Sequence, residues 1–281
     1  MAAPAGGLNH ALEQAKSLVG VDNQAAEAAI ERALLIAPDD AEVLFHCGRI
    51  MGARAEEGFI SALGYAGRSL DCLQRAVQLR PAQVPYRRAL MSFYLGAPGF
   101  AGGDKELAWA EVEAIRQIDP AAGALAALSF YRETKDQKAY VALLGDSRAR
   151  FPGLAEPHLR HGLLLQEDKD YSTAHAAFVQ ASALLELAAD GGERAHALNA
   201  LYQIGRNAVF SGERVEEGIA ALQRFAEQPL PAGVPPKEWA WLRLTQLLHR
   251  SDRSDAARRY ADLARTLDDR ELHRELRKLG Y

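Results

Sequence analysis

His158 and His161 stand three residues apart, and His175 follows on the next helical stretch. Spacing of three or four places two side chains on one face of a helix, as a pair of metal ligands would need. No third ligand of suitable spacing accompanies them, so they read as packing histidines and no metal is expected. The glycines of GAPGFAGGDK at 96–105 suggest a phosphate loop, but no strand precedes them and Lys105 is not followed by Ser or Thr. They read instead as a connection between two helices, with Asp104 as the N-cap of the second. Cys47 and Cys72 are the two cysteines, too few for a disulfide framework or a zinc signature. Both fall on packing positions and read as small buried apolar residues, in preference to a disulfide between two helices of one repeat. The acidic pairs Glu56–Glu57 and Glu216–Glu217 fall where turns are expected and read as solvent-facing. No Ser/His/Asp or Cys/His set has a recognisable local context. The chain is therefore not expected to be an enzyme, and no cofactor is expected.

The elements that must carry these residues are helical. Of 281 residues 48% are hydrophobic, with 33 Lys and Arg against 37 Asp and Glu and a net charge of −4. That is enough apolar material for a continuous core, and Ala-rich text with few β-branched runs argues all-α. The near-neutral charge lacks the basic footprint of a nucleic-acid binder. No apolar run approaches the roughly 18 residues that span a bilayer, so the chain is not expected to be transmembrane. The start, MAAPAGGLNH, lacks the basic region and apolar stretch of a signal peptide. AAPAGG is equally the small, loose text that follows a cleavage or lipidation site. Two locations stay open: the cytoplasm as written, or the periplasm or an outer-membrane anchor if a signal has been removed.

Three segments repeat one pattern: AAIERALLIAPDD at 28–40, CLQRAVQLRPAQ at 72–83 and AEVEAIRQIDPAA at 110–122. Each is a helical stripe with small residues on its packing face, then Pro as a stop. Pro152 and Pro229 close similar stretches. A period near 34 residues marks a helical-hairpin solenoid.

These residues resemble the tetratricopeptide repeat, in a divergent bacterial form. In that family small residues at positions 8, 20 and 27 let two antiparallel helices approach, large ones at 4, 11 and 24 fill the gaps, and Pro stands at 32. Segment 155–188 matches best, through Gly162, Ala174, Phe178 and Ala181. Segment 7–40 supplies Ala26, Ile30, Ala33 and Pro38, and 41–81 supplies Leu44, Gly48, Leu73, Ala76 and Pro81. Weaker units are 83–120, 121–154, 198–231 and 238–271; in 198–231, Glu217 and Arg224 break the second helix. The resemblance implies an all-α solenoid of about seven hairpins with a C-terminal capping helix. Inserted text interrupts the register within 56–69, within 94–106 and at AADGGERAH, 188–196. The Pro-rich stretch 229–236 is a candidate hinge.

In this family the first helix of each hairpin lines the concave face. The corresponding positions here single out Phe45, Arg49, Arg87, Met91, Tyr94, Leu159, Leu163, Tyr202, Arg206, Phe210, Trp239 and Leu242. This set is too apolar for a clamp on acidic tails. Either it binds an apolar peptide, helix or small molecule, with arginines meeting a polar end, or the solenoid fills its own groove. The first expectation is a non-enzymatic scaffold for a protein or peptide partner. A second is a carrier of an apolar small molecule such as a lipid in the bacterial envelope, its cavity closed by insertions near Phe59, Tyr65 and Phe100. A third is an accessory helical domain of a larger assembly.

Overall fold

The computed structural model describes residues 5–57, 61–188, 191–231 and 233–281. Among them fifteen α-helices and no strand are formed. The helices are α1 (Ala5–Leu18), α2 (Asn23–Ile36), α3 (Ala41–Glu57), α4 (Ala62–Leu79), α5 (Val84–Gly96), α6 (Lys105–Ile118), α7 (Pro120–Glu133) and α8 (Gln137–Arg150). They continue as α9 (Ala155–Glu167), α10 (Tyr171–Ala183), α11 (Gly191–Ser211), α12 (Val215–Glu227), α13 (Lys237–Arg250), α14 (Ser254–Ala264) and α15 (Arg270–Lys278). In chain order this is seven pairs and a last single helix, the all-α tetratricopeptide-type arrangement. The chain divides into two compact units, Met1–Leu143 and Leu144–Tyr281, with the division inside α8.

Local signals set the helix boundaries. Asp22, Asp104, Asp119, Asp170 and Asp269 each accept backbone N–H bonds at a helix start, satisfying donors that have no partner within the helix. α2 and α4 end two residues before Pro38 and Pro81, and Pro120 opens α7, where its missing N–H costs nothing.

In the first unit each helix packs on the next from α1 to α7, and α1, α3, α5 and α7 also touch one another in succession. In the second unit the same holds from α9 to α14, with α9, α11, α13 and α15 in succession. The odd-numbered helices thus form one layer of each unit and the even-numbered ones the other. Small residues permit this closeness. Gly48 lies under Leu73, Gly162 under Phe178 and Gly205 under Leu222, each pair joining the two helices of one hairpin. Around them sit fully buried cores, with Ile30, Leu44, Ile50, Met51 and Ile115 in the first unit and Phe178, Leu185, Leu198, Leu222 and Phe225 in the second. α15 closes the second unit with Leu272 and Leu276 turned inward and charged residues on its other faces.

The structure departs from the sequence expectation at three places. Cys47 and Cys72 form a disulfide across α3 and α4, with Cα atoms 6.0 Å apart; the register places both on facing stripes of one hairpin. α11 starts at Gly191, so the second part of AADGGERAH is helix rather than connection, held where Glu193 caps α9 and Arg194 donates to Gln228. α12 runs unbroken through Glu217 and Arg224. Both side chains point outward, Glu217 to His175 and Arg214, Arg224 to Glu186. Phe59 of the first insertion, and Ala232 of the expected hinge, lie outside the described residues.

Candidate functional site

Each predicted groove residue has a definite place. In the first unit Phe45 of α3 is half-buried and stacks on Tyr86 at 4.6 Å. Arg49, one turn on, is exposed, with its guanidinium 5.8 Å from the Phe45 ring. Arg87 is engaged with Glu111 at 2.7 Å and with the Pro81 carbonyl, so it is not free to meet a ligand. Met91 and Tyr94 are buried, and the Tyr94 hydroxyl accepts a bond from Gln74. In the second unit Leu163 and Trp239 are half-buried, whereas Leu159, Tyr202 and Leu242 are buried, Leu242 at 0% exposure. Tyr202 packs beside Phe225. Met91, Tyr94, Leu159, Tyr202 and Leu242 therefore belong to the core and offer no contact surface in this conformation. Arg206 donates to Gln166 at 2.8 Å and lies 4.7 Å over the ring of Phe210, which is 42% exposed. Burial and the nearby charge of Arg243 lower the Arg206 pKa.

What stays accessible has a recurring form. Phe45 with Arg49 on α3, Phe210 with Arg206 on α11, and Trp239 with Arg243 on α13 are aromatic–guanidinium pairs at helical spacing, with guanidinium-to-ring distances of 5.8, 4.7 and 5.6 Å. All three are on odd-numbered helices; other such pairs involve α4, α6 and the end of α8, through Arg54 with Tyr65, Arg116 with Trp109 and Arg150 with Phe151.

Two of the three histidines are engaged by neighbours. His158 faces Arg148 and the Pro152 carbonyl, and His175 pairs with Glu217 at 2.9 Å. The loop at 96–104 is structural: Asp104 caps α6 through the amides of Glu106 and Leu107. Gly102 adopts φ +96°, a conformation that favours glycine, with Leu70 packed 2.8 Å from where its Cβ would be.

One feature escaped sequence reasoning, and a second had been expected only as a cavity near the insertions. Glu156, Glu193 and His196 bring ligand atoms within 4.8 Å of one another. Glu193 accepts the amides of Ala155 and Glu156 at the start of α9, while Arg160 and His196 both hold Glu156. The positive end of α9 and a guanidinium already supply the charge that a cation would bring. The cluster ties α9 to α11. Burial alone would push the Glu156 carboxyl up, but the bond from His196 and the charge of Arg160 hold it at about 2.

The second is a cleft of about 800 Å³ in the first unit, between the C-terminal part of α3, the N-terminal part of α4, the end of α5 and the loop at 97–101. Its lining is mainly Gly and Ala, with Leu63 and Phe100 exposed at 55% and 83%. Two of the three inserted stretches build it. Of the large residues that the sequence set beside such a cavity, Phe100 lines the cleft and Tyr65 does not, because the register carries no information inside an insertion.

No family model matches the chain, and no curated protein matches it in sequence. Solved structures share its fold. Yeast Tom70 has a TM-score of 0.71 at 12% identity, over 97% of this chain and 53% of that one. Pseudomonas aeruginosa PilF has a TM-score of 0.53 at 15% identity, over 85% of this chain and 96% of that one. The human IFIT1 dimer with PPP-AAAA has a TM-score of 0.52 at 17% identity, over 97% and 63%. This chain spans about half the length of the Tom70 chain it matches. The fold is that of the tetratricopeptide-repeat solenoid.

Proposed function

We propose that this chain is a non-enzymatic scaffold for a protein or peptide partner, and that within each unit the odd-numbered helices present a partly apolar surface. The observation that carries this reading is the recurrence of an accessible aromatic–arginine pair on α3, α11 and α13. Aromatic and arginine side chains dominate the energetics of interfaces. The anchors are Phe45, Phe210 and Trp239 with Arg49, Arg206 and Arg243; Leu163 adds apolar surface in the second unit. The repeat units are proposed to run 7–40, 41–81, 83–120, 121–154, 155–188, 198–231 and 238–271, as the sequence register draws them. The Cys47–Cys72 disulfide suits an oxidising compartment and so favours the periplasmic location. The test is photo-crosslinking from positions 210 and 239 in the native host, followed by a binding assay with whatever protein is captured. Phe210→Ala should weaken that binding while costing under about 1 kcal/mol of stability. Unchanged affinity would remove the surface from consideration.

A second reading, a carrier of an apolar small molecule, is favoured by the cleft between α3, α4 and α5.

A further inference from the structure

α3 and α4 run 17 and 18 residues, against 14 for α1 and α2 and 13 and 14 for α5 and α6. The added length of α3 and α4 forms one side of the cleft, and the loop after α5 lies opposite. Ser69 spends its hydroxyl on the Gly48 carbonyl at 2.7 Å. That leaves Arg49, Glu56 and Ser92 as the polar side chains of a lining otherwise made of apolar and glycine residues.

We infer that this cleft binds one hydrocarbon chain of a single-chain amphiphile, with its carboxylate or phosphate head at Arg49. The inference rests on the carrier reading above. A volume of 800 Å³ lies within the range of about 300–1,000 Å³ for small-molecule sites. An extended peptide fits by size, but its amides would face helices whose backbone groups are already paired, and unpaired amides are costly. A chain without amides avoids that cost. The head is placed by charge: Arg49 is exposed and has no carboxylate in ion-pair distance among the described residues. Glu56 sits seven residues further on α3, about 10 Å along the axis. Its negative charge disfavours an anion at that end and so fixes the orientation, with the tail running from Arg49 toward Leu63 and Phe100.

The experiment is calorimetric titration of the delipidated full chain with octanoate, decanoate, dodecanoate and dodecyl phosphate, below their micellar concentrations. Affinity should rise about fourfold for each added methylene until the tail outgrows the cleft. Gly96 lines the cleft, and a Cβ there meets nothing within 4 Å, so Gly96→Trp should block binding with an unchanged melting temperature. Phe100→Ser, at an exposed position, should weaken binding about tenfold. Arg49→Gln should weaken dodecanoate or dodecyl phosphate at least tenfold and leave neutral monododecanoyl glycerol unaffected. Whichever of the two anions shows the larger loss identifies the head. Absence of binding to the unmodified chain, or undiminished binding by a natively melting Gly96→Trp protein, would overturn the inference. An organic extract of freshly purified protein separates the two claims. If it contains no amphiphile while dodecanoate binds as described, the site stands and the carrier role falls.

Discussion

Gly162 of α9 faces Phe178 of α10 so closely that a Cβ on the glycine would lie 2.5 Å from the ring. Phe178 is fully buried and has nowhere to move. Gly162→Leu should therefore destabilise the second unit by about 3 kcal/mol or more, the upper part of the overpacking range. Gly67→Ala is the matched control. Gly67 is exposed on α4 with nothing within 4 Å of its Cβ position, so the change should stabilise by roughly 0.5–1 kcal/mol through helix propensity. Denaturant melts of both variants decide this. Equal stability in the two would mean that the α9–α10 contact is not as described.

Reduction should destabilise the first unit. The Cys47–Cys72 disulfide closes a loop with a sequence separation of 25, and constraining a chain of that size is worth about 3 kcal/mol. Melts with and without a thiol reductant should differ by that amount. The Cys47→Ala/Cys72→Ala double variant should melt like the reduced protein and ignore the reductant. A double variant as stable as the oxidised protein would contradict the bond's structural role.

How far the fold could be read from sequence is clear at particular residues. Pro38, Pro81 and Pro120 mark helix boundaries because proline cannot continue a helix, and Ala26, Ala33, Ala174 and Ala181 are fully buried where the register requires small residues. The surface was harder to read. Register assigns a residue to the inner side of a helix, but each odd-numbered helix is flanked by odd neighbours as well as by its hairpin partner. The accessible stripe is therefore narrower than the inner face the register draws. Phe45 and Phe210 lie on it, while Tyr94, Tyr202 and Leu242 fall under neighbouring helices. Cys47 and Cys72 could be placed on packing stripes, but whether their sulfurs meet depends on the rotation of α3 against α4, which periodicity leaves free. The cleft depends on insertions, where the repeat has no counterpart.

Acid should weaken both units through different groups. Glu156 has its carboxyl held at about 2 against an ordinary 4.5. Its contribution is therefore complete above pH 4.5 and lost as pH falls toward 2, amounting to about 3 kcal/mol. Glu193, pushed up mainly by burial, titrates with the opposite sign, so the difference between the unmodified chain and Glu156→Gln isolates the effect. In the first unit, burial and then the charges of Lys16 and Arg49 lower His46 to about 4 from 6.5, against the opposing pull of Glu42 and Glu13. His46 stays neutral in the fold, so stability present above pH 6.5 should decline between 6.5 and 4 by about 3 kcal/mol. His46→Gln should flatten that limb. A flat stability profile in the unmodified chain across this window would exclude the assignment.

Phe210 and Tyr202 should separate binding from folding. Both lie on α11, eight residues apart in sequence, but Phe210 is 42% exposed beneath Arg206 and Tyr202 is 5% exposed beside Phe225. Tyr202→Ala leaves a cavity and should cost about 3–5 kcal/mol of stability. Phe210→Ala removes surface already in water and should cost under about 1 kcal/mol of stability, while weakening a partner that uses it as an anchor by about 2 kcal/mol or more. Trp239, half-buried under Arg243, should show both effects in part. Arg206→Ala tests the charge of the partner. It should reduce binding at low salt more than at high salt if the contacted group is anionic, and equally at both if Arg206 only steadies the Phe210 ring. Melts and affinities for the four variants, measured on the same preparations, provide the comparison. Loss of binding that merely tracks the unfolded fraction would place the recognition surface elsewhere on the solenoid.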